Sequence, residues 1–317
     1  MNGPTPPTAM TIPVASTNGA AAPLSPGKRQ WRRFKRNRAA VAGLWLLGVI
    51  AAACIATLPI TTPRYATTDL AAGRRPPDRF ALFGTDVLGR SVCIRCLFGG
   101  VISLSVGFAA AAMAVGLGVT WGAVAGLVGG RIDALMMRCV DILFGLPYIL
   151  LVILLKVGLD GLLRVRLGLG ADKANVVVLL AAIGGVSWLT MARVIRGQVL
   201  ALRGQPFIEA ARALGLPRWR ILVVHILPNL VGPIIVYATL TIPQAILQES
   251  FLSFLGIGIQ PPMPSWGNLA AEGVTAINSV QSFWWQLLFP CGLLSLTLLC
   301  LNFIGDGLRD ALDPRGE

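Results

Sequence analysis

Cysteine, histidine and lysine are the residues on which covalent, metal or phosphate chemistry could rest in this chain, and each is scarce. The six cysteines are Cys54, Cys93, Cys96, Cys139, Cys291 and Cys300. Cys93-Ile-Arg-Cys96 is a single CxxC. A zinc ribbon needs a second pair and a redox dithiol needs a βαβ setting, and the sequence supplies neither. The other four cysteines fall within apolar runs, where a thiol acts as a small hydrophobe. His225 is the only histidine, so it has no second imidazole with which to build a metal site. Its expected role is structural, closing the helix it sits on against its neighbours. A P-loop requires Gly-Lys followed by Ser or Thr. Lys28 is followed by Arg29, and Lys35, Lys156 and Lys173 are not preceded by glycine. None of Gly116-x-Gly118, Gly168-x-Gly170, Gly256-x-Gly258 and Gly305-x-Gly307 completes GxGxxG. No general base accompanies a candidate nucleophile. The chain is therefore expected not to be an enzyme and to carry no metal and no cofactor. Energy for any work must come from a partner or an ion gradient.

Composition shows where that work is done. Of 317 residues, 55% are hydrophobic and 13% charged, against about 25% charged in soluble domains. Several apolar runs reach the roughly 20 residues needed to cross a bilayer. Six spans are expected, at 39–58, 100–126, 134–156, 175–195, 230–251 and 284–305, giving an all-α polytopic membrane protein. The net charge of +13 does not point to nucleic acid, because the basic residues sit between apolar runs rather than along one exposed face with interleaved aromatics. They follow the positive-inside bias instead. With the N-terminus inside, 17 Lys and Arg lie on the cytoplasmic side and ten on the outer side, so both termini are expected in the cytoplasm of a cell with this chain in its inner membrane. Membrane lipid is thus a partner and nucleic acid is not.

Four segments follow from the same reading. Residues 1–27 are rich in Pro, Thr, Ala, Ser and Gly without a charge, and are expected to be a disordered tail. Residues 28–98 hold a basic cluster, the first span and an outer loop. Residues 99–306 hold the remaining spans, and 307–317 a cytoplasmic tail. Ala110, Ala114, Gly118, Gly122 and Gly126 recur every four residues and form a small-residue stripe for close helix packing. Arg138 and Asp141, three apart, are expected to neutralise each other on one helix face. In the fifth span, Thr241, Gln244 and Gln248 share a face and are expected to line a water-filled path. Glu249 falls at the outer end, where it would snorkel or make a gate contact.

The segment 196–229, between the fourth and fifth spans, carries the most information. Pro206 suits the first turn of a helix, with Glu209 near its positive end and Arg212 three residues on. Phe207, Ala211 and Leu214 would form its apolar stripe. Gly215 ends it, and Pro217 opens a second helix expected to run with Ile221 and Val224 on one face until Pro228. Tied to spans at both ends, this pair cannot act as a DNA reader. It would lie on lipid or serve as a docking knob.

Glu209-Ala-Ala, Gly215 and His225-Ile-Leu-Pro228-Asn resemble the EAA loop of type I ABC importer permeases, in the form found in dipeptide, oligopeptide and nickel permeases. Gly84-Thr-Asp-Val-Leu-Gly-Arg90, Leu252-Ser-Phe-Leu-Gly-Ile-Gly-Ile-Gln-Pro-Pro262 and Gly305-Asp-Gly-Leu-Arg-Asp-Ala-Leu-Asp-Pro314 are similar to further motifs of that family, the last pointing to its C-type permease. The first departs from the family at Ser91, where Asp is usual. The resemblance covers residues 28–317. It implies that Glu209, Ala210, Ala211, Gly215, His225 and Pro228 belong to a coupling loop for an ATPase. It also implies a homologous second permease, two cytoplasmic ATP-binding subunits and an extracytoplasmic substrate-binding protein. Short peptides are the implied cargo, with a nickel chelate as the alternative. A stand-alone secondary transporter is the reading from a different class, but no inverted repeat or acidic relay supports it.

Overall fold

Where no water reaches the backbone, every N–H and C=O must find a partner within the chain, and helices achieve this within one segment. The computed structural model describes residues 26–168, 171–277 and 281–312. Its elements in order are α1 (Pro26–Arg36), α2 (Arg38–Ala56), α3 (Leu58–Arg64), α4 (Val92–Val128), α5 (Gly130–Phe144), α6 (Tyr148–Leu167), α7 (Ala171–Arg203), α8 (Pro206–Ala213), α9 (Arg218–Phe254), α10 (Trp266–Thr275) and α11 (Trp285–Leu312). Among the described residues there are no strands, only two isolated β-bridges. Five helices (α2, α4, α7, α9 and α11) are long and apolar enough to cross a membrane, and α5 with α6 makes a sixth candidate.

That sixth candidate corrects the single span expected at 134–156. α5 and α6 meet at 97°. The break falls at Gly145, Leu146 and Pro147, and Pro147 takes an extended backbone (φ −55°, ψ 124°). Proline disfavours a helical residue before it and donates no N–H, so the run stays apolar while its direction changes. The expected tail at 1–27 lies outside the described residues except for Pro26 and Gly27, which open α1. α1 gathers the basic cluster into an amphipathic helix. Its Phe34 is buried against Ala40 of α2 and Ala311 of α11, tying the start of the first span to the end of the last.

The small-residue stripe joins α4 to α7. A Cβ on Gly118 would lie 2.6 Å from that of Met191, and one on Gly126 2.8 Å from that of Val199. Gly122 faces the Ala192 carbonyl with even less room. The two helices therefore approach as closely as glycine permits. Around this seam Ile183, Leu189 and Ala192 of α7 pack with Val106 and Ala125 of α4 in the largest apolar cluster.

The chain has two distinct ends. The loop end holds α1, α8, and the starts of α2 and α9, with the last turns of α4, α7 and α11. The cap end holds α3, the 65–91 loop, α10 and the segment joining α9 to α10.

Candidate functional site

At the loop end α8 begins with Pro206 in its first turn and Glu209 one turn in. It stops at Leu214, and Gly215 follows at φ +76°, a conformation costly to any residue with a Cβ. The buried face differs from the expected stripe. Ile208 and Ala211 pack against Ile195 and Val199 of α7 and against Ile221, Ile226 and Leu230 of α9. Phe207 is 45% exposed and Leu214 82% exposed. Ala211 is buried as expected, but Ile208 takes the place of Phe207 and Leu214, because a short helix holds two apolar edges that periodicity alone does not rank. Glu209 and Ala210 are exposed. Among the described residues the Glu209 carboxylate has no hydrogen-bond or ion-pair partner.

The second loop helix is not a separate element. From Arg218 the chain runs without a break into the fifth span. Pro228 has no N–H for the Val224 carbonyl. A π turn over Leu222–Ile226 resets the hydrogen bonding just before it, and Asn229 Nδ2 donates to the His225 carbonyl at 2.6 Å. The helix thus passes the proline instead of ending there. His225 lies half-buried within that π turn, and Pro228 is exposed. Ile221 is buried, whereas Val224, Val223 and Trp219 are exposed. The loop end thus presents a broad apolar surface beside α8.

The second region is a cleft of about 380 Å³ between the α5–α6 corner, α7 and α9. Thr241, Gln244 and Gln248 all line it, together with Ser187 and Thr190 of α7 and Tyr148 of α6. None of its lining residues is charged. The Thr241 hydroxyl donates to the Tyr237 carbonyl (2.8 Å) and Ser187 to the Ile183 carbonyl (2.8 Å). Among the described residues the buried Tyr148 hydroxyl has no hydrogen-bond partner. Tyr148, Ser187 and Thr190 were not singled out from the sequence, because only the bend at Pro147 turns α6 toward α7 and α9. Asp141 is also paired differently from expectation. Arg193 of α7 donates to it at 2.9 Å, in place of Arg138 on its own helix. Asp133 accepts both arms of Arg196 at 2.6 and 2.7 Å. Arg193 makes one bond to Asp141 and stacks on the Phe144 ring 3.9 Å away, whereas Arg196 meets Asp133 in two bonds.

The cap end is held by polar groups buried together. Arg95 is 1% exposed. Its guanidinium donates to Asp86 (2.8 Å) and by both arms to Glu272 of α10 (2.5 and 2.8 Å). Arg90 adds a 2.6 Å bond to Asp86. Glu249 is fully buried, which corrects the snorkelling reading. Its carboxylate accepts from Ser103 (2.9 Å), Ser253 (2.7 Å) and Ser250 (3.4 Å), bringing α4 to α9. Ser253 and Ser103 in turn accept from the backbone of Ile259 and Trp266, which fastens the segment after α9. Trp285 and Gln286 of α11 donate to the Thr85 carbonyl (3.1 and 3.2 Å). Lys156 of α6 donates to the carbonyls of Ile257 and Gly258. Cys96 is buried on α4 and Cys93 half-buried one turn before it. Among the described residues no three His, Cys, Asp or Glu gather as metal ligands.

Residues 118–316 match the family described as the binding-protein-dependent transport system inner membrane component. Residues 25–77 match the N-terminal TM domain of oligopeptide transport permease C. The chain is 46% identical over 295 residues to the oligopeptide transport system permease protein OppC of Escherichia coli K12, covering 91% of this chain and 92% of that protein. It is 45% identical to OppC of Haemophilus influenzae, over 91% of this chain and 90% of that one. It is 43% identical to the dipeptide transport system permease protein DppC of Bacillus subtilis, over 92% and 87% respectively. Among solved structures, a chain of the inward-facing MetNI methionine ABC transporter aligns with a TM-score of 0.51 at 20% identity, covering 68% of this chain and 94% of that one. That likeness concerns the fold.

Proposed function

The chain belongs to the family of binding-protein-dependent transport system inner membrane components, and from that premise we propose that it forms half of a translocation path for short peptides, driven by separate ATP-binding subunits. It is a permease subunit of an ABC importer. In this reading two permeases face each other across the membrane, two ATPases bind at the loop end, and an extracytoplasmic protein delivers cargo at the cap end. The loop end and both termini face the cytoplasm. Residues 28–98 form the first span and outer loop, and 99–306 the permease domain proper.

The exposed face of α8 carries this reading. Ile208 and Ala211 anchor the helix to α7 and α9, while Phe207 and Leu214 remain open to solvent. A contiguous apolar surface on a fixed element is a feature of partner docking. α8 then serves as the coupling helix. Ala211 is small enough to let the helix sit against α7, Glu209 and Ala210 face the ATPase, and Gly215 sets the turn. His225 and Pro228 shape the joint through which a push on α8 reaches α9. Because α9 also carries Thr241, Gln244 and Gln248, movement of the joint would change the cleft directly.

The cleft suits peptide backbone as cargo. Glutamine offers both donor and acceptor to an amide, and serine, threonine and tyrosine do the same with one group. A wall without charges does not select among cargo side chains by charge. Relatives named for oligopeptide and dipeptide transport support this substrate class. The decisive experiment is reconstitution of the chain with its second permease, ATPases and binding protein in liposomes. ATP-dependent uptake of labelled di- to pentapeptides is expected, with a loss of at least tenfold in the Phe207→Ser, Leu214→Ser double variant. Uptake that proceeds without the ATPases would end this reading.

A further inference from the structure

A second cavity, of about 270 Å³, opens beside α8 between the last turns of α4 and α7 and the start of α9. It is lined by Arg203, Arg212 and Arg218 with Leu127, Leu216 and Ile221. Three guanidinium groups share this space, and none of the lining residues is acidic.

The arginines differ in how they are held. Arg203 Nη1 donates to the carbonyls of Gly126 (2.9 Å) and Leu127 (3.3 Å), which caps the end of α4 and fixes the back of the pocket. The side chains of Arg212 and Arg218 make no hydrogen bond, ion pair or ring contact among the described residues. Glu209 stands three residues before Arg212, a spacing that allows a pair along a helix, yet the two are not joined. Arginine does not shed its proton in proteins, so Arg212 and Arg218, unpartnered among the described residues, share a partly enclosed space with the carbonyl-bound Arg203. Arg212 and Arg218 are exposed, and an anion between them would add charge-assisted bonds that water does not supply.

Which anion fits follows from shape and place. The guanidinium fork matches the two oxygens of a carboxylate. Half the lining is apolar, with Ile221 buried at its base, which favours a charged group on a methylene stem over a free inorganic ion. The pocket borders the opposite edge of the α8 buried stripe from Phe207, at the surface read above as the ATPase seat. We propose that the Arg203–Arg212–Arg218 pocket receives an aspartate or glutamate side chain of the ATP-binding subunit. This rests on the reading of α8 as the docking helix and adds to it a charged clamp beside the apolar contact. The clamp would set the register of docking, since a carboxylate locked between forks tolerates less sliding than an apolar face.

Carbodiimide coupling tests this in the full transporter. Carbodiimide joins a lysine amine to a carboxylate in direct contact, and the chain has only four lysines of its own. Arg212→Lys and Arg218→Lys keep the positive charge and add an amine in the pocket. Each assembled complex is expected to give a crosslink from the new lysine to one Asp or Glu of the ATPase, at least tenfold above wild type. In parallel, the Arg212→Glu, Arg218→Glu double variant should retain at least tenfold less ATPase through purification in 0.15 M salt. Assembled lysine variants that give no crosslink above wild type would overturn the proposal. So would a crosslink to lipid or to the chain's own carboxylates. The Phe207→Ser, Leu214→Ser variant separates the two ideas. If it sheds the ATPase while the double glutamate variant retains it, the pocket proposal falls and the docking reading stands. If both retain it, the docking reading falls.

Discussion

Arg95 at the cap end and Arg212 at the loop end carry the same group in opposite settings. Arg95 is almost wholly buried and bonded to two carboxylates, whereas Arg212 faces a cavity with no partner among the described residues. Trp266 and Trp219 repeat the contrast, although Leu70, Phe80 and Leu82 on the cap-end loop are exposed. Trp266 at the cap end is fully buried and donates to the Cys96 carbonyl at 3.0 Å. Trp219 at the loop end is 66% exposed. Buried ions are stable only where their partners are already in place, so the cap end's ionic core is complete within the chain. The loop end leaves both charge and apolar surface unfinished, which is how a face looks when its complement is another subunit. On the proposed docking of the ATPase at the loop end, one end keeps its shape while the other takes up a push.

The sharpest way to break the comparison is to remove the cap end's central cation. Arg95→Met leaves Asp86 and Glu272 with Arg90 alone as counter-charge among the described residues. It is expected to destabilise the detergent-solubilised chain by about 3–5 kcal/mol, read as a lowered unfolding temperature. Arg95→Lys should recover only part of this, because an ammonium lacks the fork. Wild-type melting of Arg95→Met would mean that the cap end is held by something else. Next in size is the seam between the two ends. Gly122→Leu forces a side chain against the Ala192 carbonyl and should cost about 1–3 kcal/mol. Because that seam joins α4 to α7, the variant should also slow transport more than it weakens ATPase binding.

At the loop end the expected stability effects shrink and the partner effects grow. Gly215→Val must adopt φ +76°, at a local cost of about 1–2 kcal/mol. Glu209→Lys changes an exposed side chain, so its effect on stability should stay within about 0.5 kcal/mol. Both are expected to cut ATPase retention at least fivefold while membrane insertion stays normal. Pull-down of the ATPase with each variant is the measurement. Stability losses at Glu209 as large as those at Arg95 would erase the distinction between the ends.

How much of this the sequence revealed depends on the range of the interaction involved. Length and hydropathy placed the spans, because crossing a bilayer is a property of one segment. The turn at Gly215 and the helix start at Pro206 were legible for the same reason, as local backbone constraints. The face of Thr241, Gln244 and Gln248 followed from helical spacing, and all three meet one cleft. What escaped was decided between segments. The serines that surround Glu249 include Ser103, 146 positions away in sequence, so its burial left no local trace. Arg193 competes with Arg138 for Asp141 from another helix. The α5–α6 corner was hidden because Gly145-Leu-Pro147 is apolar and does not interrupt a hydropathy window. Pro228 misled in the other direction, since a π turn absorbs the missing N–H that would otherwise end a helix.

The smallest expected effect lies at the tip of the cap-end loop, and its dependence on pH tests the contrast most finely. The backbone N–H groups of Ala81 and Phe80 donate to Asp78 Oδ1 at 2.7 and 2.8 Å, and Arg75 stands against Oδ2 at 2.5 Å. These N–H bonds, with the Arg75 charge, hold the Asp78 carboxyl below its ordinary range. A group whose folded value is depressed contributes order that is present above its unfolded value and lost as pH falls through the folded one. The protection factors of the Phe80 and Ala81 amides should therefore stay level from neutral pH down to about pH 4, and fall only below that. α8 is held by Ile208 and Ala211 in an apolar seam, so its amides should show no matching step. Loss of protection at Phe80 already between about pH 7 and pH 5 would mean that the carboxylate does not hold the loop. A step in α8 at the same pH that persists in Glu209→Gln would mean that the two ends are coupled through a titrating group, against the division drawn between them.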